Sequence, residues 1–158
     1  MTHTLKIQTL RPNVAALIRF QGSYVACCRS DYNSSWQCVQ GGIEPTDTTP
    51  RAAIERELQE ELGISPKHFK IIYQSQFWRR YYFTKSILAK KRFAHNIGQE
   101  QLWFLVEIDD FKNIHLNQSL GEFDKVELLS IPQLLNSYSH WKKSPFHDFC
   151  RELGLLVE

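Results

Sequence analysis

The segment AIERELQEELGI, residues 53–64, contains four glutamates within seven consecutive positions. On a helix, residues three and four apart share a face, so like charges at that spacing repel one another. Glu57, Glu60 and Glu61 have this spacing. Three carboxylates on one face supply the oxygen ligands that hard divalent cations prefer. The segment therefore predicts a site for Mg²⁺ or Mn²⁺, which would offset the repulsion, while a solvated acidic face on a surface helix is the alternative hypothesis.

The flanking residues indicate how such a helix would be held. An apolar stripe with i, i+4, i+8 spacing runs beside the glutamates and consists of Ile54, Leu58 and Leu62. This stripe can dock the helix on a sheet. Thr49 is a suitable N-cap, Pro50 suits the first helical position, and Gly63 is a natural C-terminal residue. The sequence predicts a helix over 50–62 after a loop over 41–49, where two glycines let backbone carbonyls approach a cation.

The remaining pattern predicts a mixed fold. Strands are expected over 13–20, 23–28, 35–40, 69–78, 79–83, 101–108 and 126–131. Further helices are expected over 132–137 and 144–156, and a polar, basic connection over 85–99. Strands mixed with two or three helices predict an α+β or layered α/β/α domain. A length of 158 residues favours one domain spanning residues 1–158.

Composition excludes several function classes. The net charge of +2 gives no indication of a strongly basic nucleic-acid-binding tail. No apolar segment follows Met1, and no apolar stretch is long enough to span a bilayer, so we expect neither secretion nor a membrane partner. The cysteines lack C-x-x-C spacing, which argues against structural zinc and favours burial as small hydrophobic residues in a reducing cytoplasm. They are Cys27, Cys28, Cys38 and Cys150.

Residues 41–64 resemble the Nudix box, G-x5-E-x7-R-E-U-x-E-E-x-G-U with U aliphatic. The core, R-E-L-Q-E-E-L-G-I, begins at Arg56 and matches fully. The preceding loop is one residue longer than the pattern. The first glutamate of the motif falls on Asp47 when counted from the first glycine and on Thr48 when counted back from the arginine. Because neither holds that glutamate in register, we expect alanine at either position to reduce activity less than Glu57→Gln.

Other segments look like one bacterial branch of this family, which contains RNA pyrophosphohydrolases, also described as dinucleoside polyphosphate hydrolases. These segments are RPNV (11–14), SWQ (35–37), QGGI (40–43), W-x-R-Y (78–81), GQ-x-Q-x-WFL (98–105) and EFD (122–124). The resemblance implies the Nudix fold, an α/β/α sandwich with a mixed central sheet and a catalytic loop–helix. It also implies a cytoplasmic enzyme of bacterial mRNA decay, expected to be a monomer that acts on 5′-phosphorylated RNA or dinucleoside polyphosphates and not on DNA.

The resemblance also implies roles for individual residues. Water attacks a phosphorus atom of the substrate, and divalent ions neutralise the phosphate charge and lower the pKa of the attacking water. Glu57, Glu60 and Glu61 would be metal ligands, with Glu122 as a further ligand or base. Arg56 would hold a glutamate in place by a charge-assisted hydrogen bond. The catalytic set implied by the family is therefore Glu57, Arg56 and Glu122.

Substrate contacts are implied at six positions, which are Arg11, Arg29, Ser35, Tyr81, Trp141 and Lys142. Arginine suits phosphate oxygens, and an aromatic ring can stack on a base. Core packing is the alternative for Tyr81 and Trp141. Gln99 and Gln101 are markers of the branch with no assigned role. The residues Trp103, Phe104 and Leu105 are predicted to be core strand residues.

Three functions remain open from the sequence. The first is a metal-dependent hydrolase that removes pyrophosphate from 5′-triphosphorylated RNA or cleaves dinucleoside polyphosphates. The second is a housekeeping pyrophosphatase for other nucleotides or nucleotide sugars. The third is a non-catalytic nucleotide-binding module, for which the altered loop is the only support. The complete set of four glutamates argues against the third function, because a binding module has no need of them all.

Overall fold

The computed structural model describes residues 9–29, 35–89, 96–116 and 121–156. The strands are β1 (Thr9–Phe20), β2 (Ser23–Cys28), β3 (Trp36–Gln37), β4 (Val39–Gly42), β5 (Phe69–Tyr82), β6 (Asn96–Ile108) and β7 (Lys125–Leu129). The α-helices are α1 (Pro50–Leu62), α2 (Lys85–Leu88), α3 (Ile131–Ser137) and α4 (Lys143–Glu152). None of the helices in the described ranges is long and apolar enough to cross a membrane.

All these strands belong to one mixed sheet, as the family resemblance implied. The main order is β3-β2-β1-β6-β5, with β4 paired to β1 and β7 paired to β2. β1 and β6 run parallel over most of their lengths, whereas the other pairs are antiparallel. Since β1 adjoins β4, β2 and β6, it is the strand from which the two halves of the sheet diverge.

The sheet separates two apolar cores, which gives the predicted three-layer sandwich. On one face, the stripe of α1 packs against alternate residues of β1 and β6; this core contains Val14, Ile54, Leu58, Leu62 and Phe104. On the other face, α3 and α4 pack against the intervening residues; this core contains Leu17, Trp103, Leu134, Phe146 and Phe149. Trp103, Phe104 and Leu105 are buried, which confirms them as core strand residues. All four cysteines are also buried and unpaired.

Several predicted boundaries were wrong. Residues 69–78 and 79–83 do not form two strands, because β5 runs unbroken to Tyr82 and absorbs the irregularity as register shifts against β6. β6 begins at Asn96, inside the segment predicted as a connection, since its pairing with both β1 and β5 outweighs the polar composition. The run 35–40 divides at Cys38 into β3 and β4, which pair with different strands.

The last helix is also shorter than predicted, and its end is tied to the sheet. α4 stops at Glu152, and Gly154 follows in the left-handed conformation with φ of 72°. The Glu152 carboxylate accepts hydrogen bonds from Tyr73 Oη at 2.6 Å, Ser75 Oγ at 2.8 Å and Arg79 Nη2 at 2.6 Å. These three donors lie on β5, so the contacts fix α4 against the edge strand that also borders the candidate site.

Candidate active site

The glutamate helix has the ends that its sequence predicts. Thr49 Oγ1 accepts from the Ala52 N–H at 3.0 Å, and Gly63 closes the helix with φ of 59° and a bond to the Gln59 carbonyl. The helix therefore has a fixed length and a fixed rotation about its axis. One carboxylate oxygen from each of Glu57, Glu60 and Glu61 lies within 4.8 Å of the others. These three side chains form the carboxylate cluster.

The carboxylate cluster is not a solvated acidic face. Glu57 is 6% exposed and Glu61 is 5% exposed. Burial raises the pKa of Glu57 to about 7, and Arg56 opposes part of that effect. Burial, together with the neighbouring Glu122 carboxyl, raises the pKa of Glu61 to about 9. Without a cation, the folded chain compensates for the crowded charge by holding protons there.

The donor set fits a divalent cation. Glu61 Oε2 is buried without a hydrogen-bond partner among the described residues. A buried acceptor of this kind is costly unless something satisfies it. Anionic oxygens from several carboxylates on one rigid helix are the ligands that Mg²⁺ and Mn²⁺ prefer. The residues present could therefore hold the metal that the sequence predicted.

Arg56 connects the carboxylate cluster to the preceding loop. Its Nη1 donates to Glu57 Oε1 at 3.0 Å and to Glu60 Oε2 at 3.0 Å. Its Nη2 donates to the Gly42 carbonyl at 3.0 Å. One guanidinium thus orients two candidate metal ligands and anchors the end of β4. The sequence had predicted that Arg56 would hold a single glutamate.

The structure shows that Asp47 and Thr48 have different roles, which the sequence could not distinguish. Asp47 binds Arg56 through two parallel hydrogen bonds, Oδ1 to Nε at 3.0 Å and Oδ2 to Nη2 at 2.8 Å. The hydrogen bonding to Arg56 lowers the pKa of Asp47. Asp47 Oδ2 also accepts from the Glu44 N–H at 2.8 Å, whereas Thr48 is exposed. The loop, one residue longer than the motif, therefore places Asp47 against Arg56 in place of the longer glutamate of the motif.

We predict that Asp47→Ala weakens Mn²⁺ binding by about ten- to a hundredfold, the usual effect of removing a group that orients metal ligands. Thr48→Ala should change binding by less than about twofold, because surface substitutions away from such networks have small effects. Calorimetric titration of both variants measures the difference, and Glu57→Gln should bind more weakly than either. Equal affinities for the two alanine variants would contradict the role of Asp47.

Close approach of other side chains requires glycine at the last two positions of β4. A Cβ atom on Gly41 would lie 2.0 Å from Cδ of Glu57, and a Cβ on Gly42 would lie 2.1 Å from Nη2 of Arg11. Both distances are far shorter than a van der Waals contact. The QGG segment therefore lets one carboxylate and one guanidinium pack directly against backbone, on opposite sides of β4.

Glu122 reaches the cluster from the loop before β7. Its Oε1 pairs with Nη1 of Arg29 at 2.7 Å, and its carboxyl also contacts that of Glu61. The adjoining backbone is fixed by the bond from the Asp124 N–H to the Cys28 carbonyl at 3.0 Å. A candidate phosphate-binding arginine and a candidate metal ligand are therefore in direct contact.

The carboxylate cluster opens into a cleft bounded by β1, β4, β5, β6 and the segment before α4. Predicted residues lining it are Arg11, Arg29, Glu57, Glu61, Tyr81, Glu122, Trp141 and Lys142. Residues whose side chains had no role assigned from the sequence are Asn13, Gln40, Phe83, Ile87 and Gln99. Three of these lie in the RPNV, QGGI and GQ-x-Q segments, so the segments indicated the site although the individual roles were not evident.

Ser35 lies apart from the predicted substrate contacts. Its Oγ donates to the Ser137 carbonyl at 3.0 Å, at the end of α3, and it is not part of the described cleft wall. A substrate contact at Ser35 stays a prediction.

The aromatic residues serve both packing and the cleft wall. Ring centroids of Tyr81 and Trp141 are 5.5 Å apart, and Phe83 lies 6.1 Å from each. Lys142 is buried, donates to Gln37 Oε1, and has its Nζ 5.6 Å from the Trp141 ring centroid. The lysine cation is therefore held beside an aromatic platform.

This combination of loop, glutamate helix and mixed sheet defines the Nudix family. The sequence profile of the NUDIX domain matches residues 9–149, and the chain belongs to that family. The RNA pyrophosphohydrolase of Mannheimia succiniciproducens is 40% identical over 149 residues, 93% of this chain and 75% of the relative. The RNA pyrophosphohydrolase of Pasteurella multocida is 35% identical with the same coverage of both chains. Nudix hydrolases use divalent metal ions.

Solved structures confirm the fold. The Escherichia coli dihydroneopterin triphosphate pyrophosphohydrolase is 18% identical and aligns with a TM-score of 0.69, covering 92% of this chain and 99% of its own. A Caenorhabditis elegans Ap4A hydrolase is 15% identical, with a TM-score of 0.63 and coverage of 93% and 100%. The chain is a Nudix hydrolase, as the sequence predicted.

Proposed function

We propose that this chain removes pyrophosphate from 5′-triphosphorylated RNA, using Mg²⁺ or Mn²⁺. The observation that carries the proposal is one cleft that joins the buried Glu57 and Glu61 of the carboxylate cluster to guanidinium, ammonium and aromatic side chains. Anionic phosphates need cationic side chains and a flat base needs an aromatic one, and this cleft holds both kinds side by side. The activity named for the relatives agrees with this arrangement. The four unpaired cysteines support a reducing cytoplasm, and we propose a monomer.

Glu57, Glu60, Glu61 and Glu122 would hold the metal, which when bound supplies charge neutralisation and a lower pKa for the attacking water. Arg56 orients two of these ligands, and Asp47 orients Arg56. In the reaction, water oxygen bonds to phosphorus and the bond to the departing pyrophosphate breaks.

Arg11 and Arg29 are proposed to bind phosphate oxygens. Both line the cleft, and the Arg11 guanidinium packs against Gly42. Trp141 and Lys142 lie at its aromatic wall, where a base and a further phosphate would meet a ring and a cation. Separate groups for phosphates and for a base favour a substrate larger than a mononucleotide. The intact ligand network argues against a non-catalytic binding module.

We predict that Lys142→Ala and Trp141→Ala lower kcat/KM on a triphosphorylated oligonucleotide by roughly ten- to a hundredfold more than on a nucleoside triphosphate. A charge-assisted hydrogen bond from Lys142 contributes about 1.5–3 kcal/mol, and a base stacked on Trp141 contributes about 1–3 kcal/mol. The shorter substrate lacks the second nucleotide that would make both contacts. Pyrophosphate release from both substrates, with Mg²⁺ and Mn²⁺ tested separately, measures the ratio.

The control is Lys143→Ala, which removes a neighbouring charge that is not part of the described cleft wall. Thermal unfolding shows whether loss of the bond to Gln37 disturbs the fold of Lys142→Ala. Equal losses on both substrates would instead favour a dinucleoside polyphosphate or a housekeeping nucleotide substrate. Diadenosine polyphosphates and ADP-ribose in the same panel decide between these two.

A further inference from the structure

Two glutamines on β6 share a face of the sheet but have different hydrogen bonding. Gln101 is 1% exposed and fully engaged: its Nε2 donates to Asn13 Oδ1 at 2.8 Å and to Gln40 Oε1 at 2.6 Å. Its Oε1 accepts from Trp103 Nε1 at 3.1 Å. Gln101 therefore completes a closed network, and its role is structural.

Gln99, two residues earlier, lines the cleft and is 6% exposed. Its Oε1 atom is buried with no hydrogen-bond partner among the described residues. Leaving a buried acceptor unpaired costs roughly 1–3 kcal/mol, and a native structure rarely tolerates this without a reason. A ligand that enters the cleft and donates a hydrogen bond to this atom supplies such a reason.

The strand register places Gln99 between two groups proposed to bind substrate. Tyr81 on β5 pairs with Gln99, and Gln99 pairs with Arg11 on β1. Paired residues lie on the same face, and neighbouring strands are about 4.8 Å apart. An aromatic ring, an amide and a guanidinium thus form one row about 10 Å long across the cleft wall.

The neighbours of Gln99 in this row indicate which part of the substrate donates a hydrogen bond to its Oε1 atom. Phosphate oxygens accept hydrogen bonds, so the phosphates bound by Arg11 cannot satisfy Gln99 Oε1. The ring of Tyr81, with Trp141 packed against it at 5.5 Å, favours a base on the other side of Gln99. Resting on the function proposed above, we propose that Gln99 accepts a hydrogen bond from the amino group of a substrate nucleobase. Gln99 is then a specificity-determining residue that favours adenine, guanine or cytosine.

Uracil is disfavoured at this position for an electrostatic reason. Its single N–H lies between two carbonyl oxygens, which would face the Gln99 oxygen. An exocyclic amino group projects beyond the ring and has only ring atoms, not carbonyl oxygens, directly beside it, so one of its N–H bonds can reach the Gln99 oxygen. Gln99 therefore discriminates by the donor pattern of the base edge, as amide side chains do in reading nucleic-acid bases.

The experiment compares wild type with Gln99→Met, which keeps similar bulk but removes the acceptor. Substrates are triphosphorylated trinucleotides of adenosine, with N6,N6-dimethyladenosine or uridine placed singly at the first or second position. We expect wild type to prefer adenine about tenfold at one of these positions, the size of one hydrogen bond, and Gln99→Met to lose that preference. Its melting temperature should not fall, because the removed atom has no protein partner.

Two controls separate this role from a structural one. Gln59→Met changes an exposed glutamine whose amide donates to the Glu55 carbonyl on α1, and it should keep the base preference. Ribose 5-triphosphate lacks the base, so Gln99→Met should hydrolyse it at the wild-type rate. A loss that is equal on every substrate, or an unchanged base preference, would overturn the inference.

Failure of the proposed function gives a different result. If triphosphorylated RNA is not hydrolysed but diadenosine polyphosphates are, RNA is the wrong substrate. The same comparison between adenine and N6,N6-dimethyladenine, made with those dinucleotides, then still decides the role of Gln99.

Discussion

Glu61→Gln is expected to lower kcat/KM for metal-dependent pyrophosphate release by at least about a hundredfold, while the fold stays as stable at pH 7. With its pKa raised to about 9, Glu61 carries a proton at pH 7 when no cation is bound, so a neutral amide replaces a neutral carboxyl. The amide cannot become anionic when the metal arrives. Because a metal contributes several kcal/mol to such a reaction, the loss is large.

The matched control lies on the same helix. Glu55→Gln removes an equal charge, but Glu55 points outward and pairs with Arg51 at 3.3 Å. It should keep nearly full activity and full Mn²⁺ affinity. Steady-state kinetics, calorimetric titration and thermal unfolding of both variants provide the comparison. Similar activity losses in the two variants would mean that α1 carries its acidic residues for solubility and not for metal.

The second large expected effect concerns pH. Without metal, the free energy of unfolding should fall as pH rises, whereas the affinity for metal should increase. Glu57 and Glu61 have folded-state pKa values of about 7 and about 9, against 4.5 for an unperturbed glutamate. The folded chain therefore binds more protons than the unfolded chain between about pH 5 and pH 9. By linkage, the free energy of unfolding in chelator must fall as pH rises through that window.

Metal must displace these protons before the carboxylates can bind it. Affinity for Mn²⁺ should therefore rise by about tenfold or more for each pH unit between pH 6 and pH 7, with proton release on binding. Calorimetry in two buffers of different ionisation enthalpy measures the released protons, and denaturant unfolding at several pH values measures stability. Affinity that stays constant from pH 6 to pH 8 would show that these carboxyls already bind metal without losing protons.

The sequence by itself determined the glutamate helix. Its N-cap, its first-position proline, its terminal glycine and its three-carboxylate face depend on residues within one or two turns of each other. The rise and rotation of a helix are fixed, so spacing along the chain converts directly into position in space. The apolar run WFL likewise predicted core residues of β6, and all three are buried.

Only the tertiary structure decided the contacts between residues that are far apart in the sequence. The sequence could not choose between Asp47 and Thr48, because the conformation of a loop depends on where its two ends are anchored. The sequence did not distinguish Gln99 from Gln101. In the structure, Gln101 completes a hydrogen-bond network, whereas Gln99 lines the cleft with an oxygen that has no partner among the described residues. Strand pairing joins residues far apart in sequence, such as Arg11 and Gln99, and no local spacing encodes that register.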